Sequence, residues 1–183
     1  MNNDAVPRTA HLVISDLPPI VELRIVEDGR YGALLHRLVG RVAQDALDCE
    51  QARADAADPD KVQTAMQIMT RYAYMNAANG VNTPYPYQVE LACLALDAGR
   101  LYDDLHPSTQ KALHIAWRQA HEAFSSALRR AHALGVQARN SGDQPFATVH
   151  GQIIKGVALS WDDLTEHEQD ALVIQWLRGK GEL

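Results

Sequence analysis

The side chains best suited to chemistry in this chain form two carboxylate pairs, Asp103-Asp104 and Asp162-Asp163, each just ahead of a helical run. Paired carboxylates can hold a divalent cation or divide acid and base roles, the equipment of a metal-dependent hydrolase. Acids at a helix start also complement the positive end of its dipole and accept from its free N–H groups. Neighbours in sequence tend to point apart, which favours this structural role over a shared ligand. His114, His121 and His132 fall along one face of an expected long helix, but a seven-residue step separates two rings by about 10 Å along the axis, too far to share one ion. His36, His150 and His167 have no His, Cys or acid at a diagnostic spacing, so no metal ligand set is expected. The chain also lacks a GxSxG, a P-loop and a GxGxxG, and Ser125-Ser126 reads as small packing residues inside a helix. No catalytic residue and no cofactor is expected.

Charge offers a different kind of chemistry. Between residues 42 and 60, Asp45, Asp48, Glu50, Asp55, Asp58 and Asp60 face a single Arg53. The plain reading is a solvated helix face; the sharper one is an acidic surface for a basic partner, such as a protein that itself binds nucleic acid. Arg30, Arg37 and Arg41, and separately Arg118, Arg129 and Arg130, carry the opposite charge, and such segregation suits steered docking or homo-oligomer formation. Asp45, Asp48, Asp55, Arg37 and Arg41 are therefore the candidate interaction residues. With a net charge of −6 and a pI near 5.7, direct nucleic-acid binding is not expected, because displacing counterions from phosphates needs a basic face.

A third possibility is a small-ligand or nucleotide pocket. Two Pro-aromatic loops, Pro84 to Tyr87 and Gln144 to Phe146, border comparable stretches, and Tyr87, Tyr102, Phe146, Trp161 and His121 are its candidate lining. Core anchoring is the simpler explanation for the aromatics, because they recur together with the leucines that would surround them.

The elements that must position these residues nearly repeat. YDDLHPSTQKALHIAW at 102–117 and WDDLTEHEQDALVIQW at 161–176 share eight identities without a gap, and Pro86-Tyr87 answers Pro145-Phe146 at the same offset. The pattern points to two related helical modules. Ahead of them HLVIS, DLPP and IVELRIVEDG read as a β-hairpin. From Tyr31 the apolar positions Leu35, Leu38, Val42, Ala46 and Cys49 recur at helical spacing. A second helix is expected to end at Gly80, and a short one follows the GVNTPYPY loop. Next comes a long helix capped by His106 and Pro107 and running down to Gly135. A loop follows to Pro145, then a weaker helix within FATVHGQIIKGVAL, and a last helix that opens with a Thr165/Glu168 capping box and ends near Gly179. The fold class expected is mainly α: an N-terminal β-hairpin (1–30), a linking amphipathic helix (31–59), and two related helical modules (60–117 and 118–183) sharing a long helix.

His121-Glu122-Ala123-Phe124, and Trp161-Asp162-Asp163-Leu164 followed by Glu168-Gln169, resemble the helix signature and the capped turn of the RyR domain, a small helical repeat of ryanodine receptors and of some bacterial and phage proteins. The resemblance covers about residues 118 to 178. The first module shares only the later turn and helix, with Val62 standing where His121 would fall, and Gly135-Val136 lies further along than the family's Gly-Trp. The resemblance implies a non-catalytic interaction or ligand-binding module and carries over no catalytic residue.

The two cysteines, Cys49 and Cys93, form no CxxC and read as reduced, buried side chains of a cytosolic protein. No window approaches 18 apolar residues and the N-terminus lacks a basic start, so neither a signal peptide nor a membrane span is expected. The expectation as a whole is a non-enzymatic, acidic, cytoplasmic accessory protein, of the kind phages and mobile elements encode, acting through protein–protein interaction.

Overall fold

The computed structural model describes the backbone of residues 9–16, 19–27, 30–55, 58–96, 102–142 and 145–183, with side chains from residue 40 onward apart from residue 55. From Gly40 on, the described residues are helical: α1 (Arg41–Asp55), α2 (Pro59–Ala78), α3 (Pro86–Leu96), a 3-10 turn (Tyr102–Asp104), α4 (Pro107–Ser141), α5 (Phe146–Ile153) and α6 (Glu166–Lys180). Ahead of them the backbone is assigned to three antiparallel strands in sequence order, β1 (Thr9–Asp16), β2 (Pro19–Glu27) and β3 (Arg30–Val39). The hairpin expected within residues 1–30 has its turn, residues 17 and 18, outside the described residues.

Local sequence explains most helix ends. Asp58 caps α2, its Oδ1 accepting from the Asp60 and Lys61 N–H groups at 3.2 and 3.4 Å, and Pro59 supplies a first helical position that needs no donor. The same helix stops at Asn79 and Gly80, the latter at φ 70°, where a residue without a Cβ is favoured. His106 Nδ1 accepts from the Ser108 N–H ahead of Pro107 at the start of α4. Thr165 and Glu168 close a reciprocal capping box on α6: Thr165 Oγ1 accepts from the Glu168 N–H at 3.4 Å, and Glu168 Oε2 accepts from the Thr165 N–H at 2.8 Å.

Two ends differ from the sequence expectation. The first helix begins at Arg41, behind Gly40 at φ 63°, so Tyr31, Leu35 and Leu38 precede it; two or three apolar positions do not separate helical from extended spacing. The long helix does not stop at Gly135 but runs 35 residues to Ser141, about 52 Å at 1.5 Å per residue. Gly135 is there for contact rather than termination. A Cβ built on it would lie 2.1 Å from the backbone O of Trp176, and one on Gly179 of α6 would lie 2.1 Å from that of His132. The two glycines let α4 and α6 cross backbone to backbone, and α6 accordingly ends past Gly179, at Lys180, with Gly181 in the left-handed conformation.

The long helix α4 is the spine. Helices α1 and α2 pack along it toward its N-terminal end, α6 toward its C-terminal end, and α5 fills the corner between α4 and α6. Met69, Ala73 and Tyr74 of α2, Leu113, Trp117, Phe124 and Ala131 of α4, and Leu172 and Trp176 of α6 share one core. Tyr74 and Phe124 meet with ring centroids 5.5 Å apart. Polar ties join α2 to the last helix and the turns before it. Arg71 pairs with the buried Glu168 at 3.1 Å, His167 Nε2 with Asn79 Oδ1 at 2.9 Å, and the Tyr74 hydroxyl accepts from the Ala158 N–H at 3.1 Å.

Candidate functional site

The two matched turns are built by the same contacts. Gln110 Nε2 donates to the carbonyls of Tyr102 and Leu105 at 2.9 and 3.2 Å, and Gln169 Nε2 donates to those of Trp161 and Leu164 at 2.8 and 3.4 Å. Leu105 and Leu164 are buried, as are Leu113 and Leu172 one turn and more down each helix. The glutamine folds back over a turn whose carbonyls would otherwise lack donors. In this setting the Asp pairs are exposed turn residues: Asp103 and Asp104 lie in the 3-10 turn, and Asp163 accepts from the Ser160 hydroxyl at 2.6 Å. No group of three or more His, Cys, Asp or Glu side chains with metal-binding geometry occurs among the described residues.

The aromatic candidates do not converge on one pocket. Phe146 and Trp161 meet at 5.3 Å, and Phe146 also meets Trp176 edge-on at 5.6 Å. Tyr102 is edge-on to His114 at 5.6 Å, and His121 stacks on Trp117 at 4.7 Å while its Nε2–H donates to the Val81 carbonyl at 2.9 Å. Tyr87 stands apart from all of these, among Tyr72 and Tyr85. Trp117 and Trp176 are buried, with neither indole N–H finding a partner among the described residues, so both act through packing.

Two of the candidate acids are engaged within the fold, whereas Glu50, Asp58 and Asp60 are exposed. Asp45 is buried and pairs with Arg118 of α4, and Asp48 pairs with Lys111 of α4 at 2.5 Å while also accepting from Gln44 at 3.0 Å. These carboxylates fasten α1 to the spine. Arg41 is exposed at the start of α1, whereas the side chains of Asp55 and Arg37 lie outside the described residues. Sequence spacing placed Asp45 and Asp48 correctly on one helix face; the face they share is the one α4 covers.

An exposed apolar face that sequence reasoning passed over lies on α3. Tyr85, Tyr87, Leu91 and Leu94 are 45, 49, 41 and 55% exposed, and the last three follow each other at four and three residues along one side of the helix. Tyr85 and Tyr87 stack with centroids 5.8 Å apart, and Tyr72 of α2 meets Tyr87 edge-on at 6.0 Å. The face is held in place from beneath. Gln88, fully buried, exchanges two hydrogen bonds with Asn76 of α2 at 2.8 and 3.0 Å, and its Oε1 also accepts from the Tyr85 N–H at 3.0 Å. The available signal was composition: PYQVELACLAL has one charged residue, Glu90, so it carries more apolar surface than one packed side can bury.

Neither thiol is primed for nucleophilic work. Burial pushes the Cys49 and Cys93 thiols above the usual range, with Arg53 opposing the rise at Cys49 and Glu90 adding to it at Cys93. Burial likewise raises the phenols of Tyr74 and Tyr102. No helix among the described residues is long and apolar enough to cross a membrane. No family model, no curated protein and no solved structure matches the chain.

Proposed function

We propose that this chain is a non-enzymatic accessory protein that binds another protein through the α3 face. The observation that carries the reading is the concentration of exposed apolar side chains, Tyr85, Tyr87, Leu91 and Leu94, on one short helix and its lead-in loop. A contiguous exposed patch of this kind marks an interaction surface, and aromatic residues are enriched at such surfaces. The Gln88–Asn76 pair and the Tyr72 ring anchor the patch to α2, which favours a preformed surface. Charge plays the smaller part: Asp45 and Asp48 are engaged by Arg118 and Lys111, and Glu90 is the one charged residue of α3 itself.

The reading includes a cytoplasmic setting and two related helical modules that share α4, the second of them RyR-like. The matched glutamine bonds and buried leucines of the two turns support the relation between modules. A photo-reactive p-benzoyl-phenylalanine in place of Leu94, in the chain expressed in its native host, tests the assignment. A protein cross-linked there and lost when Tyr87→Glu and Leu91→Glu are added supports it. Cross-linking of the chain to a second copy of itself, or to nothing, overturns it.

A further inference from the structure

A groove between α2 and α4, on surface to which α3 contributes no side chain, has a composition of its own. Its volume is about 270 Å³, and its lining comes from Gln63, Met66, Gln67, Thr70 and Tyr74 of α2, from four residues of α4 between Ala116 and Ala123, and from Gly156 and Ala158. Along α2 these positions recur at three and four residues, so one stripe of the helix forms a wall. The facing wall is shallow because three of its four α4 residues, Ala116, Ala120 and Ala123, are alanines.

The end of the groove is fixed. Arg130 donates from Nε to the Ile153 carbonyl at 3.0 Å and from Nη2 to the Lys155 carbonyl at 2.5 Å, pinning the chain that follows α5. The Tyr74 hydroxyl holds the same segment through the Ala158 N–H.

The side chains that line the rim are polar and uncharged, with the Arg53 guanidinium bonded to one of them, Gln63. The side chains of Gln67, Thr70 and Gln119 make no hydrogen bond among the described residues, and Gln63 uses its Oε1 to accept from Arg53. A primary amide offers a donor beside an acceptor, the arrangement that pairs with the edge of a nucleobase or another cyclic amide. Among the described residues no Lys, Arg, Asp or Glu lines the groove, and the Arg53 guanidinium beside it is engaged by Gln63 and Glu50, so the groove offers no free counter-charge to a phosphate or carboxylate. Met66 and the alanines give an apolar floor for a flat ring, and the volume, just below the roughly 300–1,000 Å³ of drug-sized sites, suits one ring system.

We propose that this groove binds a neutral, flat heterocycle of the nucleobase class, with the amides of Gln67 and Gln119 reading its edge. The assignment does not depend on the α3 docking face. Titration of the isotope-labelled full chain with adenine and with uracil, followed by amide chemical shifts, tests it. Saturable shifts at Gln67, Thr70, Gln119 and Ala123 with at least one free base, together with affinity for adenosine monophosphate about tenfold weaker or worse, are expected. Ala123→Leu, which fills the groove from a half-exposed position, should abolish those shifts, and Gln119→Leu should weaken binding about tenfold with the remaining spectrum unchanged. The proposal fails if neither base gives saturable shifts, if the monophosphate binds as well as the base, if a neutral extended peptide shifts these residues where the bases do not, or if well-folded Gln119→Leu and Ala123→Leu bind as the parent does.

Discussion

The segments Tyr102–Trp117 and Trp161–Trp176 share their turn, their glutamine bonds and their buried leucines, and yet they sit in different surroundings. After Trp117 the helix runs on for 24 more residues, and three positions later Ala120 packs in ordinary helix contact. After Trp176 the equivalent third position is Gly179, where the α4 backbone comes so close that a Cβ cannot fit. The partners of the tryptophans differ as well. His121 from the same helix lies flat on Trp117, whereas Trp176 is met by Phe146 from α5 and by the Lys180 ammonium 4.8 Å from its ring centroid. The Pro-aromatic loops diverge most: Phe146 packs between Trp161 and Trp176, and its counterpart Tyr87 is 49% exposed on the α3 face. Local sequence repeats a turn; the helix that crosses it decides whether the aromatic nearby becomes core or surface.

Substitutions can break this comparison at several strengths. Trp117→Ala and Trp176→Ala should each cost about 3–5 kcal/mol in urea unfolding, since both rings are buried in the shared core. Because neither indole N–H has a partner among the described residues, Trp→Phe at either site should cost much less, and a large loss there would show a missing hydrogen bond. Gly179→Ala should cost about 3 kcal/mol, whereas Ala120→Gly at the equivalent position should cost only about 1 kcal/mol. Equal effects would mean that α4 and α6 do not approach more closely than α2 and α4.

Phe146→Ala should lower stability by about 2 kcal/mol, and Tyr87→Ala, which gives up its ring contacts with Tyr72 and Tyr85, should cost about 1 kcal/mol while removing partner cross-linking at position 94. If Tyr87→Ala destabilises as Phe146→Ala does, the α3 face is core and the docking proposal falls. The glutamines should behave alike. Gln110→Ala and Gln169→Ala each remove two bonds to turn carbonyls, at about 1–2 kcal/mol, and a thermal melt that moves for one and not the other would separate the two turns. Thr165→Ala should cost about 1 kcal/mol through loss of the capping box, with Asp162→Asn costing less, both measurable by chemical denaturation.

The caps read from the sequence, His106 ahead of Pro107 and Thr165 with Glu168, were legible because each depends on residues within four positions, and Asp58 with Lys61 follows the same local rule without having been singled out. The matched turns were legible for the same reason, and so was the burial of the two tryptophans, which fall on their helices' apolar stripes. Gly135 was read as a helix end because a glycine looks the same to its own chain whether it terminates a helix or admits a neighbour. Only the position of Trp176 O separates the two. Asp45 and Asp48 were placed on one face of α1, but their charge is spent on α4, since an acid's solvation depends on whether Arg118 and Lys111 arrive from another helix. The apolar face of α3 was likewise set by tertiary structure. Sequence supplied an almost uncharged helix, and the single side on which α2 packs left Tyr87, Leu91 and Leu94 in water. Hydrogen bonds between near neighbours are written into the chain, whereas burial is a property of what lands on top of it.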